Sequence, residues 1–409
     1  MPNFSIALTG LQADSLALNN IGNNLANLNT TAFKKQTTRF EDLFYQNIGT
    51  SGSKDLLQVG VGTRVSGTVS SFAQGGLATT QSATDMALSG SGFFVVQRGN
   101  DQSLTRAGNF QLDAAGNLIT SNGMSVMGYG ATAGTVNVTG GLVQLQLPVT
   151  ASEAAKATTS VSISSSLDSS AAIGAQATSS VKLFDSLGGA HAATVTYTKA
   201  SASSWTYAIT LPAGDATGTP LKNTGTLSFD SAGVLTSPTA NVSGVSFPVM
   251  VDGASALTFS FNLYDGAGTP LIGQTAGASN TASAIQDGYA AGAYQGFSID
   301  ASGVITASFS NGHSAAVGQV AVATVANTDG LVRAGANVYL ASDASGAISV
   351  GLANVGGRGT IEGAALEQSN VDISAEFSDL IVAQRAFEAN SKTMTTFDSV
   401  TQQAINMIR

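Results

Sequence analysis

The stretch FSIALTGLQADSLALNNIGNNLANL (residues 4–28) places Phe4, Leu11, Leu18 and Leu25 at seven-residue intervals. Ala7, Ile21 and Leu28 each fall three residues after a member of that series. The result is an a/d seam broken only at Asp14, with Leu8 widening the stripe. This spacing predicts an amphipathic helix about 38 Å long at 1.5 Å per residue. Asn23, Asn24, Asn27 and Asn29 lower its propensity near the end, so it is expected to stop close to Leu28.

The other end repeats the design. In VDISAEFSDLIVAQRAFEANSKTMTTFDSVTQQAINMIR (residues 371–409), Ile373, Leu380, Phe387, Met394 and Ile408 share one seven-residue series interrupted by Thr401. Phe377, Ile381, Phe397, Val400 and Ile405 broaden its apolar face. Asp372 or Ser374 can cap the start, with Glu376 and Asp379 in the first turns, where the helix dipole favours anions. No Gly or Pro occurs from Val371 onward, although the preceding residues carry all 47 glycines and all seven prolines.

Between the ends the chain reads as β. Gly92 to Val96, Thr194 to Tyr197, Trp205 to Leu211 and Leu257 to Tyr264 have strand composition and alternation. Three units share one spacing: Leu112-Asp113 to Gly116-Asn117-Leu118, Phe229-Asp230 to Gly233-Val234-Leu235, and Ile299-Asp300 to Gly303-Val304-Ile305. Asp first and Gly fourth suit a type I turn with a left-handed glycine. Calcium would need several clustered oxygen ligands, and each unit offers one carboxylate. Pro148 to about Ser180 and Gly268 to Ala284 are small and polar, and read as the crossings into and out of an inserted domain. The expected chain is nested and mainly β. Residues 1–29 and 371–409 form a helical polymerisation domain paired as a coiled coil, 30–147 and 285–370 a discontinuous first β-domain, and 148–284 a second one inserted in it.

Composition narrows the function. Only 10% of residues are charged, the net charge is −9, and no basic field or polybasic run exists to attract nucleic acid or anionic lipid. No cysteine is present, which removes disulfides and thiol chemistry and fits use outside the cell without oxidative folding. His191 and His313 each stand alone among small polar residues and are expected to be solvated, with neither a metal nor a catalytic role. No cofactor, paired-carboxylate or Ser-His-Asp arrangement can be picked out, which argues against an enzyme. Met1 to Ile6 lack a basic n-region and a continuous apolar core, so no Sec signal peptide is read there. Ala114 to Ser152, the longest uncharged stretch, is too rich in Gly, Asn, Ser and Thr to span a membrane as a helix.

Two isolated end helices are marginal, whereas many packed side by side bury both faces. The periodicity therefore points to ends that assemble, with an antiparallel coiled-coil stalk in a monomer or dimer as the alternative. Asn23, Asn24 and Asn27 either hydrogen-bond between helices or form a solvated or channel-facing row.

At these same residues the chain resembles the axial proteins of the bacterial flagellum, the rod, hook and hook-associated family. Ser5 to Leu11 and Ile21-Gly22-Asn23-Asn24-Leu25-Ala26-Asn27, followed by Thr30-Thr31-Ala32-Phe33-Lys34, are similar to that family's rod signature. Ala32 is a departure, since relatives usually carry Gly there. Asp85 to Val96 with Gly92, Phe93 and Phe94, then Arg106, Gly108 and Phe110, and Gly123 to Tyr129, resemble the first β-domain of hook and distal-rod proteins. Asn370, Asp372, Gln384, Arg385 and Asn390 match the C-terminal pattern. The inserted stretch of about 140 residues favours a hook member over a distal-rod one.

The resemblance implies a self-assembling structural subunit of a curved tube that transmits torque. It implies export, without a cleaved signal, through the flagellar type III apparatus to the extracellular hook. Implied partners are other copies, the distal rod protein, the hook cap protein and the hook-filament junction proteins. Phe4, Leu8, Leu11, Leu18, Ile21, Leu25, Leu28, Ile373, Phe377, Leu380, Phe387, Met394 and Phe397 are the expected assembly contacts. The rivals are a distal-rod subunit and, from another class, a secreted β-rich adhesin, which would leave the helices at opposite termini unexplained.

Overall fold

The computed structural model describes residues 2–50, 56–150 and 152–407. Among them are two α-helices, α1 (Pro2–Ala26) and α2 (Ile373–Met407), and everything between is β-strand, turn and loop apart from one short 3-10 turn. Pro2 occupies the first turn of α1, where its missing N–H costs nothing. Asn27 and Leu28 continue as hydrogen-bonded turns past the helix end. Of the two candidate caps for α2, Asp372 serves: its Oδ1 accepts from the N–H groups of Ser374 (2.8 Å) and Ala375 (3.0 Å).

The chain forms two compact units. The first comprises residues 1–149, 297–307 and 315–409, and the second residues 150–296 and 308–314.

The first unit is organised on the strand Phe93–Arg98, which pairs with Asp101–Thr105 in a hairpin (Phe94 opposite Thr105). Its other partners are Ser125–Thr132 (Val126 opposite Val96) and Ser314–Thr324 (Val322 opposite Phe94). Both faces are covered. Phe94 and Val96 enter one core with Met86, Phe110 and Leu118, whereas Phe93 and Val95 enter another with Leu104 and Tyr339. This two-sided burial is why the run is continuously apolar rather than alternating. Gly108 is required by close approach, since a Cβ there would lie 1.7 Å from the Met86 carbonyl oxygen. That approach seats Phe110 edge-on against Phe94, with ring centroids 5.2 Å apart.

The second unit has two five-stranded sheets around one core. One holds Val242–Phe247, Leu257–Asn262, Ser160–Asp168, Ile272–Thr275 and Asn280–Gln286; the other runs Gln176–Phe184, Ala190–Ser201, Ser204–Thr210, Thr224–Phe229 and Leu235–Ser237. Trp205, Tyr197, Phe261 and Ile163 are buried in that core. The two small-residue segments read as crossings are therefore strands for about half of their length. In Ser160–Asp168, Val161, Ile163 and Leu167 point into the core while partly exposed serines alternate with them, so a serine-rich composition concealed an ordinary period-2 pattern.

The Asp-to-Gly turns form as the spacing requires. Asp113, Asp230 and Asp300 each accept, through one carboxylate oxygen, from backbone N–H groups two and four residues on. Gly116, Gly233 and Gly303 have φ of 83°, 79° and 80°. The same arrangement recurs at Asp265 and Asp185, which the spacing search missed because the flanking apolar residues differ.

The histidines correct the sequence reading, because neither is simply solvated. His191 is buried, with Nε2 2.8 Å from Asp185 Oδ2 and Nδ1 2.9 Å from Asp215 Oδ2. His313 bonds Glu153 Oε1 at 2.7 Å and stacks on Tyr289 at 4.3 Å. Their partners lie far off in sequence or across a turn, so local composition gave no sign of them.

Candidate assembly surface

α1 and α2 pack antiparallel. Near the end of α1, Asn24 Nδ2 donates to Glu376 Oε2 (3.1 Å) at the start of α2. About three turns of α1 toward its start, Asn390 Nδ2 donates to Asp14 Oδ2 (2.8 Å) and lies against Gly10, where a Cβ would sit 2.8 Å from that nitrogen. The charge that breaks the heptad at Asp14 is thus an interhelical partner.

Where the helices meet the first β-unit, the family-pattern residues gather into a polar clasp. Lys34 and Glu367 are both fully buried and joined at 2.6 Å, and Arg106 Nε lies 3.1 Å from the other Glu367 oxygen. Arg106 also donates to the carbonyls of Gly90 (2.8 Å) and Gly92 (2.7 Å), and Lys34 to that of Ala73 (2.8 Å). Burial pulls the Lys34 ammonium below its ordinary value of 10.5, with Glu367 opposing the shift. Beside it, Lys35 pairs with the buried Glu376 at 2.5 Å, and that hydrogen bond raises the Lys35 pKa. Asn24 accepts from the Gln36 N–H (2.9 Å) and donates to its carbonyl (2.8 Å). Asn370 accepts from the Lys35 N–H (2.7 Å) and donates to the carbonyls of Ser71 and Ala73.

Ala32 sits inside this junction, fully buried, with φ +54° and its N–H on the Glu367 carbonyl (2.8 Å). The left-handed conformation costs a non-glycine residue roughly 1–2 kcal/mol. A buried methyl contributes about 0.8 kcal/mol, and replacing glycine lowers unfolded-chain entropy by about 0.4–1 kcal/mol. These terms nearly cancel, which explains how Ala is accommodated at this left-handed position.

The expected contact residues divide. Leu11, Leu18, Ile21, Leu25, Leu28, Leu380, Met394 and Phe397 are half-buried. Leu8, Ile373, Phe377 and Phe387 stay exposed, and so do Ile381, Val400 and Ile405 on the same helix; Phe377 is 50% and Ile381 58% accessible. The side chain of Phe4 and the whole of Ile408 lie outside the described residues. Pairing α1 with α2 therefore leaves Ile373, Phe377 and Ile381, spaced four residues apart on one face of α2, as an apolar stripe in solvent.

The asparagine row splits. Asn24 bridges helices, Asn27, just past the end of α1, bonds back to Asn23, and Asn23 is exposed. Asn20, which the sequence reading passed over, is buried and donates to Thr38 Oγ1 (3.0 Å). Gly22, Ala26, Gln384 and Arg385 are exposed, and a Cβ at Gly22 would meet nothing within 4 Å. Glu367 and Glu376, the anions of the clasp, were also missed as partners; the adjacent Lys34 and Lys35 at the helix exit of a charge-poor chain were the available clue.

Comparison with known proteins agrees along the chain. Residues 4–34 match the model of the flagella basal body rod protein, and 87–166 that of the flagellar hook protein FlgE/F/G D1 domain. Residues 153–289 match the flagellar basal body protein FlaE D2 domain, and 362–407 the flagellar basal body rod FlgEFG protein C-terminal region. The flagellar hook protein FlgE of Salmonella typhimurium is 32% identical over 421 residues, covering 99% of this chain and 100% of that protein. The Escherichia coli K12 protein of the same name is 33% identical over 99% of both chains. The crystal structure of Helicobacter pylori flagellar hook protein FlgE2 shares the fold, with TM-score 0.55 and 16% identity over 70% of this chain and 99% of that one. No helix of the described residues is long and apolar enough to cross a membrane. With end helices that pack together, a β-rich body between them and full-length similarity to named relatives, the chain belongs to the flagellar hook protein FlgE family.

Proposed function

We propose that copies of this chain join through α1 and α2 into a helical homopolymer, the curved tube of the hook, which carries torque from rod to filament. The observation that carries this reading is the apolar stripe left open on α2 after α1 has packed. A heterologous contact repeated by such a stripe builds an open helical array rather than a closed dimer. The exposed face of α1 carries no charge: Gln12, Ser15, Asn19, Gly22, Asn23 and Ala26 lie on it beside the exposed Leu8 and Leu16, and an uncharged face suits the wall of a central channel. Truncating either helix should abolish polymerisation, seen by sedimentation, while the β-units keep their circular-dichroism signal. A truncated chain that still polymerises would overturn the reading.

The reading extends to the inserted domain, residues 148–284, as the part that sets curvature. Surfaces rich in Ala, Gly, Ser and Thr offer few long side chains to lock a register, so neighbours can slide at low cost. Deleting 148–284 should leave tubes that are straight or differently curved; complete loss of polymer would contradict it. The expected partners are the distal rod protein, the hook cap protein, the hook-filament junction proteins and the flagellar type III export apparatus, with the assembled chain extracellular and no nucleic acid bound. A straight, unbending wild-type polymer would favour the distal rod instead.

A further inference from the structure

Three turns of the second unit converge on His191. The hairpin turn at 185–189 brings Asp185, the loop 212–217 brings Asp215, and the turn after Met250 brings Asp252. Asp185 is fully buried and His191 is 7% exposed. Both ring nitrogens face carboxylate oxygens, Nε2 at 2.8 Å from Asp185 and 3.7 Å from Asp252, and Nδ1 at 2.9 Å from Asp215. Carboxylates only accept, so a ring with an acceptor on each side uses both N–H groups only as the imidazolium. Gly189 leaves room for this: a Cβ there would lie 2.4 Å from Asp185 Oδ2 and 3.1 Å from Asp252 Oδ2.

We propose that His191 is a proton-operated latch, which as imidazolium ties these three turns together at one end of the second unit and releases them when it loses its proton. The charged groups facing it are Asp185, Asp215 and Asp252, all anionic partners from the three packed elements. Burial alone lowers the His191 pKa, but the hydrogen bonds and charges of Asp185 and Asp215 outweigh it and the net shift is upward from 6.5. Burial likewise acts to raise Asp185, and its hydrogen bonds to His191 and to the Gly189 and Leu187 N–H groups help bring it down to about 2.

The signs follow from these directions. A raised histidine contributes stability fully present below its unfolded value and lost as pH rises through the folded one. A depressed aspartate contributes above its unfolded value and loses this as pH falls toward 2. The latch is therefore strongest in mildly acidic medium and opens toward alkaline pH.

The full chain has two histidines, so the ring Hε1 resonances can be followed by NMR, with His191→Gln assigning them. The latch requires a His191 midpoint above 6.5, and a denaturant midpoint for the second unit that falls from pH 6 to pH 9 in the parent and stays flat in H191Q. A His191 midpoint at or below 6.5, or an unchanged pH dependence in H191Q, overturns it. So does saturable binding of Zn²⁺ or Mn²⁺ at neutral pH that H191Q removes, because the cluster would then serve a metal and not a proton.

Discussion

Replacing Phe377 and Ile381 by aspartate should abolish polymer while leaving the subunit folded. Both side chains are about half exposed on α2 in the isolated chain, so the fold loses little; surface changes of this kind cost about 0.5 kcal/mol each. In the proposed tube the same positions would pack against a neighbour. There, burying a Phe or Ile side chain is worth about 1.5–3 kcal/mol, and burying an unpaired carboxylate costs several kcal/mol. A combined loss of roughly 6 kcal/mol per subunit contact raises the critical concentration by a factor of roughly 10⁴. Sedimentation of assembled material against concentration, beside a thermal melt of the monomer, checks both halves. If F377D/I381D polymerises at the parent's concentration, the stripe is not an assembly contact.

The second large effect concerns the clasp. Glu367 is the only anion within bonding distance of both Lys34 and Arg106 among the described residues, and it also accepts from the Gly75 N–H (2.9 Å). Glu367→Gln preserves shape and removes the charge, leaving two buried cations without an anionic partner. Breaking a buried pair in this way costs about 3–5 kcal/mol, read as a lowered denaturant midpoint of the first unit. Lys34→Met in the same background should recover part of the loss, because it removes one uncompensated charge. A change below about 1 kcal/mol in E367Q would show that the clasp is solvated and contributes little to holding the helix pair on the β-unit.

Periodicity made the helices legible, since a seven-residue apolar series survives a single Asp14 or Thr401. The Asp-to-Gly turns were legible because backbone geometry alone demands those residue types. The Phe93-Phe94-Val95-Val96 run was legible as a strand by its composition, but not as one covered on both faces. What stayed hidden depends on distant partners. Nothing near His191 predicts Asp215 or Asp252, and nothing near Lys34 predicts Glu367, more than three hundred residues away. Serine-rich strands were hidden for another reason: the composition of Ser160–Asp168 resembles a linker, and only its alternation of Val161, Ile163 and Leu167 reveals a core strand. Which apolar residues face the partner helix and which face a neighbour could not be read from the heptads either, because the stripe is wider than one helix can cover.

The central claim is that the terminal helices of this chain are its polymer contacts. Electron microscopy of the purified full chain, brought to assembly conditions and imaged at a resolution that shows helices, tests it directly. The prediction is a curved tube with rods of density from α1 and α2 innermost, the α2 stripe of Phe377 and Ile381 facing a neighbouring subunit. A tube with these helices on its outer surface, or a chain that stays monomeric at every concentration, would contradict it.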